Sequence, residues 1–240
     1  MIRTVAADQR VDTYGYADLP RLMGAMTGDE KHALASASTV DVLWVLYDRV
    51  LRLDPGSIRD PDRDRFLLSK GHGPVAFYAV LAAKGFLDPE LLANWGEVDS
   101  PLGYHPDRVL LPAVEIGSGS LGHGLPIGVG VALGLRAQGR PTPRVVVLLG
   151  DGELDEGSNA EAIAAAARLR LGALTAIVID NRSSSLGWPG GIAERFAVEG
   201  WASRTVDGRD HEELFAALST TEPDRPNVVV AVTEPKEVSA

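Results

Sequence analysis

The chain has 240 residues, 45% of them hydrophobic and 23% charged, which is enough apolar material for a buried core and excludes a disordered chain. Its 33 Asp and Glu outnumber 23 Lys and Arg, and the formal net charge of −10 disfavours a nucleic-acid partner. The absence of cysteine excludes disulfides, thiolate zinc sites, iron–sulfur clusters and a thiol nucleophile. Met1–Arg10 carries no apolar signal core, and the smoothest apolar stretch, Ile127–Leu135, is far short of the ~20 residues of a membrane span. A soluble, cytoplasmic protein without membrane or nucleic-acid contacts is expected.

Residues 1–38 are polar and weakly periodic. Val40, Leu43, Val45, Leu46 and Val50 then recur at helical spacing until Pro55-Gly56. Arg59–Arg65 alternates arginine and aspartate and reads as a solvated loop. Phe66-Leu67-Leu68 is a short apolar run that stops at Ser69-Lys70-Gly71-His72-Gly73. A helix is expected from about Val75 to Lys84, closed by Gly85. Asp88-Pro89-Glu90 opens another that should reach Trp95, with a capping carboxylate before proline at the first helical position. Residues 100–126 are rich in Gly, Pro, Ser and His, and a loop that long inside a compact domain is usually functional.

A helix from about Gly124 to Ala137 leads to Arg144–Leu149, a continuous β-branched and aliphatic run expected of a strand buried on both faces. It breaks at Gly150-Asp151-Gly152. An alanine-rich helix over about Asn159–Arg170 precedes a second buried strand, Leu174–Ile179, which breaks at Asp180-Asn181. Helices near 193–199 and 210–219 and strands near 203–206 and 227–233 complete the pattern. Strands alternating with helices of this length predict an α/β fold: a central, mostly parallel sheet with helices on both faces. Ligands of such sheets bind beyond the carboxyl ends of the strands, where both breaks fall.

Asp151 and Asn181 are thirty residues apart, one helix plus one strand, so their side chains can meet at one sheet edge. A carboxylate, an amide oxygen and a backbone carbonyl are hard ligands suited to Mg²⁺ or Ca²⁺, with phosphate oxygens completing the shell. Gly150 and Gly152 remove side chains where a diphosphate would approach, and the next helix aims its N-terminus at the same place. Taken alone, Gly-Asp-Gly reads equally as a tight turn. Gly117-Ser118-Gly119-Ser120-Leu121-Gly122 fits Gly-x-Gly-x-x-Gly, but no firm strand precedes it and residues 137–143 contain no acid, so a nicotinamide site is not expected. The five histidines show no zinc-type pairing.

The motif from Gly150 to Asn181 resembles the diphosphate–metal motif of thiamine diphosphate enzymes. Ser69–Gly73, Gly103-Tyr104-His105-Pro106, Gly119–Gly124 and Gly150–Gly157 follow in transketolase order. Over about residues 30–232 the chain resembles the N-terminal, diphosphate-binding subunit of split bacterial transketolases. The resemblance implies the thiamine diphosphate-binding fold over residues 31–240, preceded by an extension over 1–30. It implies that Asp151 and Asn181 bind a metal by side chain and Ser183 by backbone carbonyl, the ion being Mg²⁺ (or Ca²⁺ or Mn²⁺). His72, Gly119, Leu121, Asp151, Gly152, Glu153 and Asn181 would contact thiamine diphosphate. His32, His72 and His105 would be catalytic, with His105 placed for proton transfer, and Glu156 would couple paired sites.

The resemblance further implies a C-terminal partner subunit that supplies the pyrimidine-binding domain and the catalytic glutamate, in a heterotetramer with two copies of each. The implied reaction moves a two-carbon ketol unit from a ketose (phosphate) donor to an aldose-type acceptor. Transfer of a ketol or acyl unit to a carrier-protein thiol or lipoyl group is an alternative, as is a non-catalytic binding or regulatory subunit. The chain departs from the family pattern at Lys31-His32-Ala33-Leu34, where flexible glycines are expected, at His123, where glutamine is usual, and at Arg182, a cation beside the phosphate region. After Val228–Val232 the family's glycine-rich segment with a further histidine is also not seen.

Overall fold

A computed structural model describes residues 14–27 and 36–235. The predicted segment Lys31–Leu34, with His32, lies outside them. Five strands are described: β1 (Arg65–Leu68), β2 (Val145–Gly150), β3 (Leu174–Asp180), β4 (Ala202–Asp207) and β5 (Asn227–Val232). They form one sheet in the order β1-β2-β3-β5-β4, and every neighbouring pair is parallel. The expected α/β architecture is therefore present.

Alternate strand residues serve the two faces. On one face Phe66, Leu68, Val146, Leu148, Ile177 and Ile179 pack with helices α1 (Leu19–Gly24), α2 (Val40–Val45), α3 (Pro74–Ala83) and α7 (His211–Ser219). On the other, Leu67, Val145, Val147, Leu149, Ala176 and Val178 pack with α4 (Gly124–Ala137), α5 (Gly157–Arg168) and α6 (Ile192–Ala197). Period-two alternation with both faces apolar is why these strands read as unbroken hydrophobic runs. Helix α3 is buried at all ten positions, which explains its all-apolar sequence.

Two local differences from the sequence expectation have simple causes. Helix α1 lies in the segment read as weakly periodic. It has six residues and buries only Leu19 and Leu22, too short a pattern for a helical period to register. The expected continuous helix over 40–50 runs as α2 and then as a π-helical turn, Leu46–Val50. There Tyr47 enters an aromatic cluster with Phe66, Phe77 and Phe86 at centroid distances of 5.6, 6.1 and 5.7 Å. Among the described residues no helix is long and apolar enough to cross a membrane.

Candidate functional site

The carboxyl ends of β2 and β3 lie side by side. Gly150 is in register with Ile179, so the chains leaving the two strands, through Asp151 and through Asp180-Asn181, emerge at one edge. After Gly150 the chain winds into a 3-10 turn, Asp151–Asp155. Asp151 is 1% exposed. Its Oδ2 accepts the backbone N–H of Ser183 at 2.6 Å and of Ser184 at 3.2 Å, while Oδ1 accepts from Gly152 N at 2.8 Å and from the Ser183 hydroxyl. The loop leaving β3 is thus folded back onto the tip of β2. Arg182, with φ of +57°, makes the bend in the left-handed region rarely used by side chains of its size, a strain of the kind that gathers at functional sites.

Asn181 is 5% exposed, and its side-chain oxygen Oδ1 is buried and accepts no hydrogen bond. Leaving a buried acceptor unmade costs about 1–3 kcal/mol, so the orphan asks for a partner. The candidate oxygen donors on these two adjoining strand ends are the Asp151 carboxylate, the Asn181 amide oxygen and the Ser183 carbonyl. A Cβ built on Gly152 would lie 3.3 Å from that carbonyl, a close approach that glycine keeps open. These are oxygen ligands that fit a hard divalent cation. Among the described residues no three His, Asp or Glu side chains gather as a protein-only metal cage. A cation here would complete its shell with oxygens from water or from a bound phosphate group.

Beside this pair opens a cleft of about 100 Å³. Of the residues expected from sequence, His72, Leu121, Gly152, Glu153, Asn181 and Ser183 line it. Lys70, Gly71 and Gly150 complete the wall. His105 adjoins it: a Cβ on Gly119 would lie 3.0 Å from His105 Cδ2, and one on Gly71 would lie 3.6 Å from His105 Cε1. Gly119 has φ of +118°, so the ring of His105 is seated against a backbone only glycine accommodates. Leu121, 43% exposed, forms an apolar rim.

Lys70 does not stand out as a site residue in the sequence. Its backbone N–H and that of Ser69 both donate to the Leu148 carbonyl, at 3.0 and 2.9 Å, which keeps the loop after β1 against β2. The Lys70 side chain is buried and crosses Gly150, where a Cβ would lie 3.4 Å from its Cγ, and Nζ donates to the His72 carbonyl. The burial of Lys70, unusual for lysine, marks it only once the fold is known.

Glu153 is a buried residue of the cleft wall. Its Oε1 accepts from the Ser69 hydroxyl and from Gly122 N at 2.9 Å, and Oε2 accepts from Gly150 N at 3.4 Å. It ties the loops after β1, before α4 and after β2 together. Burial pushes its carboxyl above the ordinary range, and the bonds from Ser69, Gly122 and Gly150 only partly offset this. His123 braces the adjoining loop, its ring nitrogens meeting the carbonyls of Ser120 and, at 3.0 Å, Gly117. Glu156 is exposed, with its Cβ packed against Gly122. Arg182 is exposed.

A larger, shallow depression lies over the ends of β4 and β5 and includes Asp207, Arg209, Glu213 and Glu234. Its charged groups are engaged with the protein: Arg209 pairs with Glu234 and Asp41, and Glu213 accepts the Asp207 amide at 3.0 Å. Asp41 also accepts from Tyr16 and meets His211 Nε2 at 2.8 Å, so the fifth histidine is structural and remote from the cleft.

The family described as transketolase, thiamine diphosphate binding domain, matches residues 25–234. A protein of Rhodococcoides fascians named ferredoxin fas2 is 59% identical over 226 residues, 94% of this chain and 74% of that protein. A protein of Actinobacillus succinogenes, named as one of the subunits of an apulose-4-phosphate transketolase, is 36% identical over 209 residues, 84% of this chain and 75% of that protein. Among solved structures, a Pichia stipitis transketolase in complex with fructose 6-phosphate superposes with a TM-score of 0.70 at 25% identity, covering 86% of this chain and 36% of that one. The chain thus spans about a third of the solved transketolase it matches.

Proposed function

This chain belongs to the transketolase thiamine diphosphate-binding domain family, and on that premise we propose that it is the diphosphate- and metal-binding half of a two-subunit, transketolase-like transferase. The observation that carries the reading is the buried, unpartnered Asn181 Oδ1 at the end of β3, next to the strand end that leads into Asp151. Asp151, Asn181 and the Ser183 carbonyl would hold Mg²⁺ or a similar ion. Gly152, Leu121, Gly119 and His72 would lie along thiamine diphosphate. When bound, that cofactor supplies the electron sink for making and breaking carbon–carbon bonds next to a carbonyl.

The chain's own residues then have distinct tasks. The glycines at 150 and 152 leave room for the Lys70 side chain and the Ser183 carbonyl to lie against the tip of β2. Lys70, desolvated against Gly150, adds positive charge in a low-dielectric wall. Glu153 fixes the three loops that shape the cleft. His105, seated on Gly119, is positioned to move a proton at the reacting end, with His72 and His32 contributing.

A cleft of about 100 Å³ is small beside the roughly 300–1,000 Å³ of pockets that bury a ligand of cofactor size. This supports a site completed by a separate pyrimidine-binding chain carrying the activating glutamate. The Actinobacillus relative, itself named as one part of a transketolase divided between chains, supports the same division. The substrates proposed are a ketose phosphate donor and an aldose-type acceptor, with a two-carbon unit transferred. Iron–sulfur chemistry, which the name of the Rhodococcoides relative suggests for that protein, has no cysteine ligands in this chain.

The test is calorimetric titration of thiamine diphosphate with Mg²⁺ into the chain bound to its pyrimidine-binding partner, followed by assay with aldose phosphates and with acyl-carrier or lipoyl proteins. Uptake with ketol transfer to aldoses is expected. Transfer to the carrier alone would move the acceptor to the other class, and no uptake would make the chain a non-catalytic subunit.

A further inference from the structure

The loop that carries Ser183 is held by two carboxylates from one turn. Asp151 takes the amides of Ser183 and Ser184. Asp155, four residues on, takes the next stretch. Its Oδ2 accepts Ser185 N at 3.1 Å, the Ser185 hydroxyl at 2.9 Å and Leu186 N at 3.3 Å, and its Oδ1 lies 3.0 Å from the Ser184 hydroxyl, whose single proton is shared with the Leu186 carbonyl at 2.7 Å. Three donors and a share of a fourth on one carboxylate make a specific grip, and bonds to an ionised acceptor are stronger than neutral ones.

The two acids differ in what else is asked of them. On the proposed function, on which this inference rests, Asp151 offers its oxygens to a cation. An oxygen engaged with a cation holds amide protons less well, so Asp151 cannot be the sole anchor of the Ser183–Leu186 loop. Neither carboxylate is part of the cleft wall, but Asp155 is not among the oxygens assigned to the cation, so it is available as the permanent anchor. We propose that Asp155 is a positioning residue: by clamping Ser184–Leu186 it keeps the Ser183 carbonyl and the Asn181 side chain turned toward Asp151. The serine run Ser183-Ser184-Ser185 is the complementary half of the clamp, supplying the Ser185 hydroxyl and a share of the Ser184 hydroxyl to Asp155 besides the amides of Ser185 and Leu186.

The test uses the full chain bound to its pyrimidine-binding partner, as wild type and as the Asp155→Ala and Asp155→Asn variants. Amide hydrogen exchange is measured without added metal, and Mn²⁺ uptake with thiamine diphosphate is measured by electron paramagnetic resonance. In D155A, exchange at Ser185 and Leu186 should quicken by about tenfold or more while β3 amides keep their rates, and Mn²⁺ should bind about tenfold more weakly. D155N keeps an acceptor oxygen and should fall between wild type and D155A in both measurements. Intact β3 protection separates loss of the clamp from loss of the fold. Mn²⁺ binding by D155A equal to that of the wild type, or unchanged exchange at Ser185 and Leu186, would overturn the positioning role alone. Absence of Mn²⁺ uptake by the wild type would overturn the metal reading and this role with it.

Discussion

Asp151 Oδ2 lies 2.6 Å from the Ser183 amide nitrogen, so the tip of β2 and the loop leaving β3 are joined by the protein's own hydrogen bonds. That contact makes Asp151 both a candidate ligand and a structural acceptor. Asp151→Ala should therefore lower stability by about 1–3 kcal/mol through orphaned amides. Asp151→Asn keeps an acceptor oxygen and should retain most of that stability. Both should weaken Mn²⁺ binding in the presence of thiamine diphosphate by about 100-fold or more, since even outer-shell changes cost about 10–100-fold. Denaturant unfolding and Mn²⁺ titration of the two variants check this; wild-type affinity in Asp151→Asn would remove Asp151 from the site.

Asn181 carries the opposite signature. Its Oδ1 is buried and unpaired, so its retention costs stability in the isolated chain. Asn181→Leu should leave the unfolding midpoint unchanged or raise stability by up to about 1 kcal/mol, while metal-dependent cofactor uptake is lost. Thermal unfolding alongside calorimetric titration separates the two effects. A variant that both unfolds early and still binds would contradict the assignment.

The strand ends were legible because β2 and β3 are buried on both faces, and such strands must be written as unbroken apolar runs whose interruption marks the edge. Even the order of the last two strands left a trace: central β5 reads Asn227-Val228-Val229-Val230-Ala231-Val232, whereas edge β4 alternates and leaves Thr205 and Asp207 exposed. Lys70 and Asp155 do not read as site residues in the sequence. Lysine and aspartate are ordinary on a surface, and their roles depend on Gly150 and the Ser184–Leu186 loop, which come near only through the fold. Glu153, expected at the cofactor, lines the cleft, and its carboxylate accepts from Ser69, Gly122 and Gly150. No spacing rule connects those three positions.

Gly124 tests the coupling of helix α4 to that loop. A Cβ at 124 would fall 2.2 Å from Ser69 Oγ and 2.3 Å from Ser69 Cβ, and Gly124 N donates to the same hydroxyl at 3.1 Å. Gly124→Ala must push Ser69, and Lys70 with it, away from Gly150. The expected cost is about 1–3 kcal/mol of stability, together with weaker binding of inorganic pyrophosphate. Pairing it with Ser69→Gly, which clears the space, should restore part of the stability but not the Ser69–Glu153 bond. Urea unfolding and pyrophosphate titration of the single and double variants check both effects.

Glu153 sets a pH dependence with a definite sign. Its folded-state carboxyl is raised, chiefly by burial, so the folded chain holds this proton more tightly than the unfolded chain does. The contribution of the group to stability is therefore greatest below its unfolded value. It declines as pH rises through the ordinary carboxylate range toward the raised folded value, and is fully lost above it. Glu153→Gln keeps an Oε1 acceptor for Ser69 and Gly122 but cannot ionise. Urea unfolding of wild type and variant between about pH 4 and pH 7 should show the wild type losing ground to the variant as pH increases. A stability difference that is flat across that window, or that moves in favour of the wild type with rising pH, would show that donors from Ser69, Gly122 and Gly150 outweigh burial and hold Glu153 as an ordinary carboxylate.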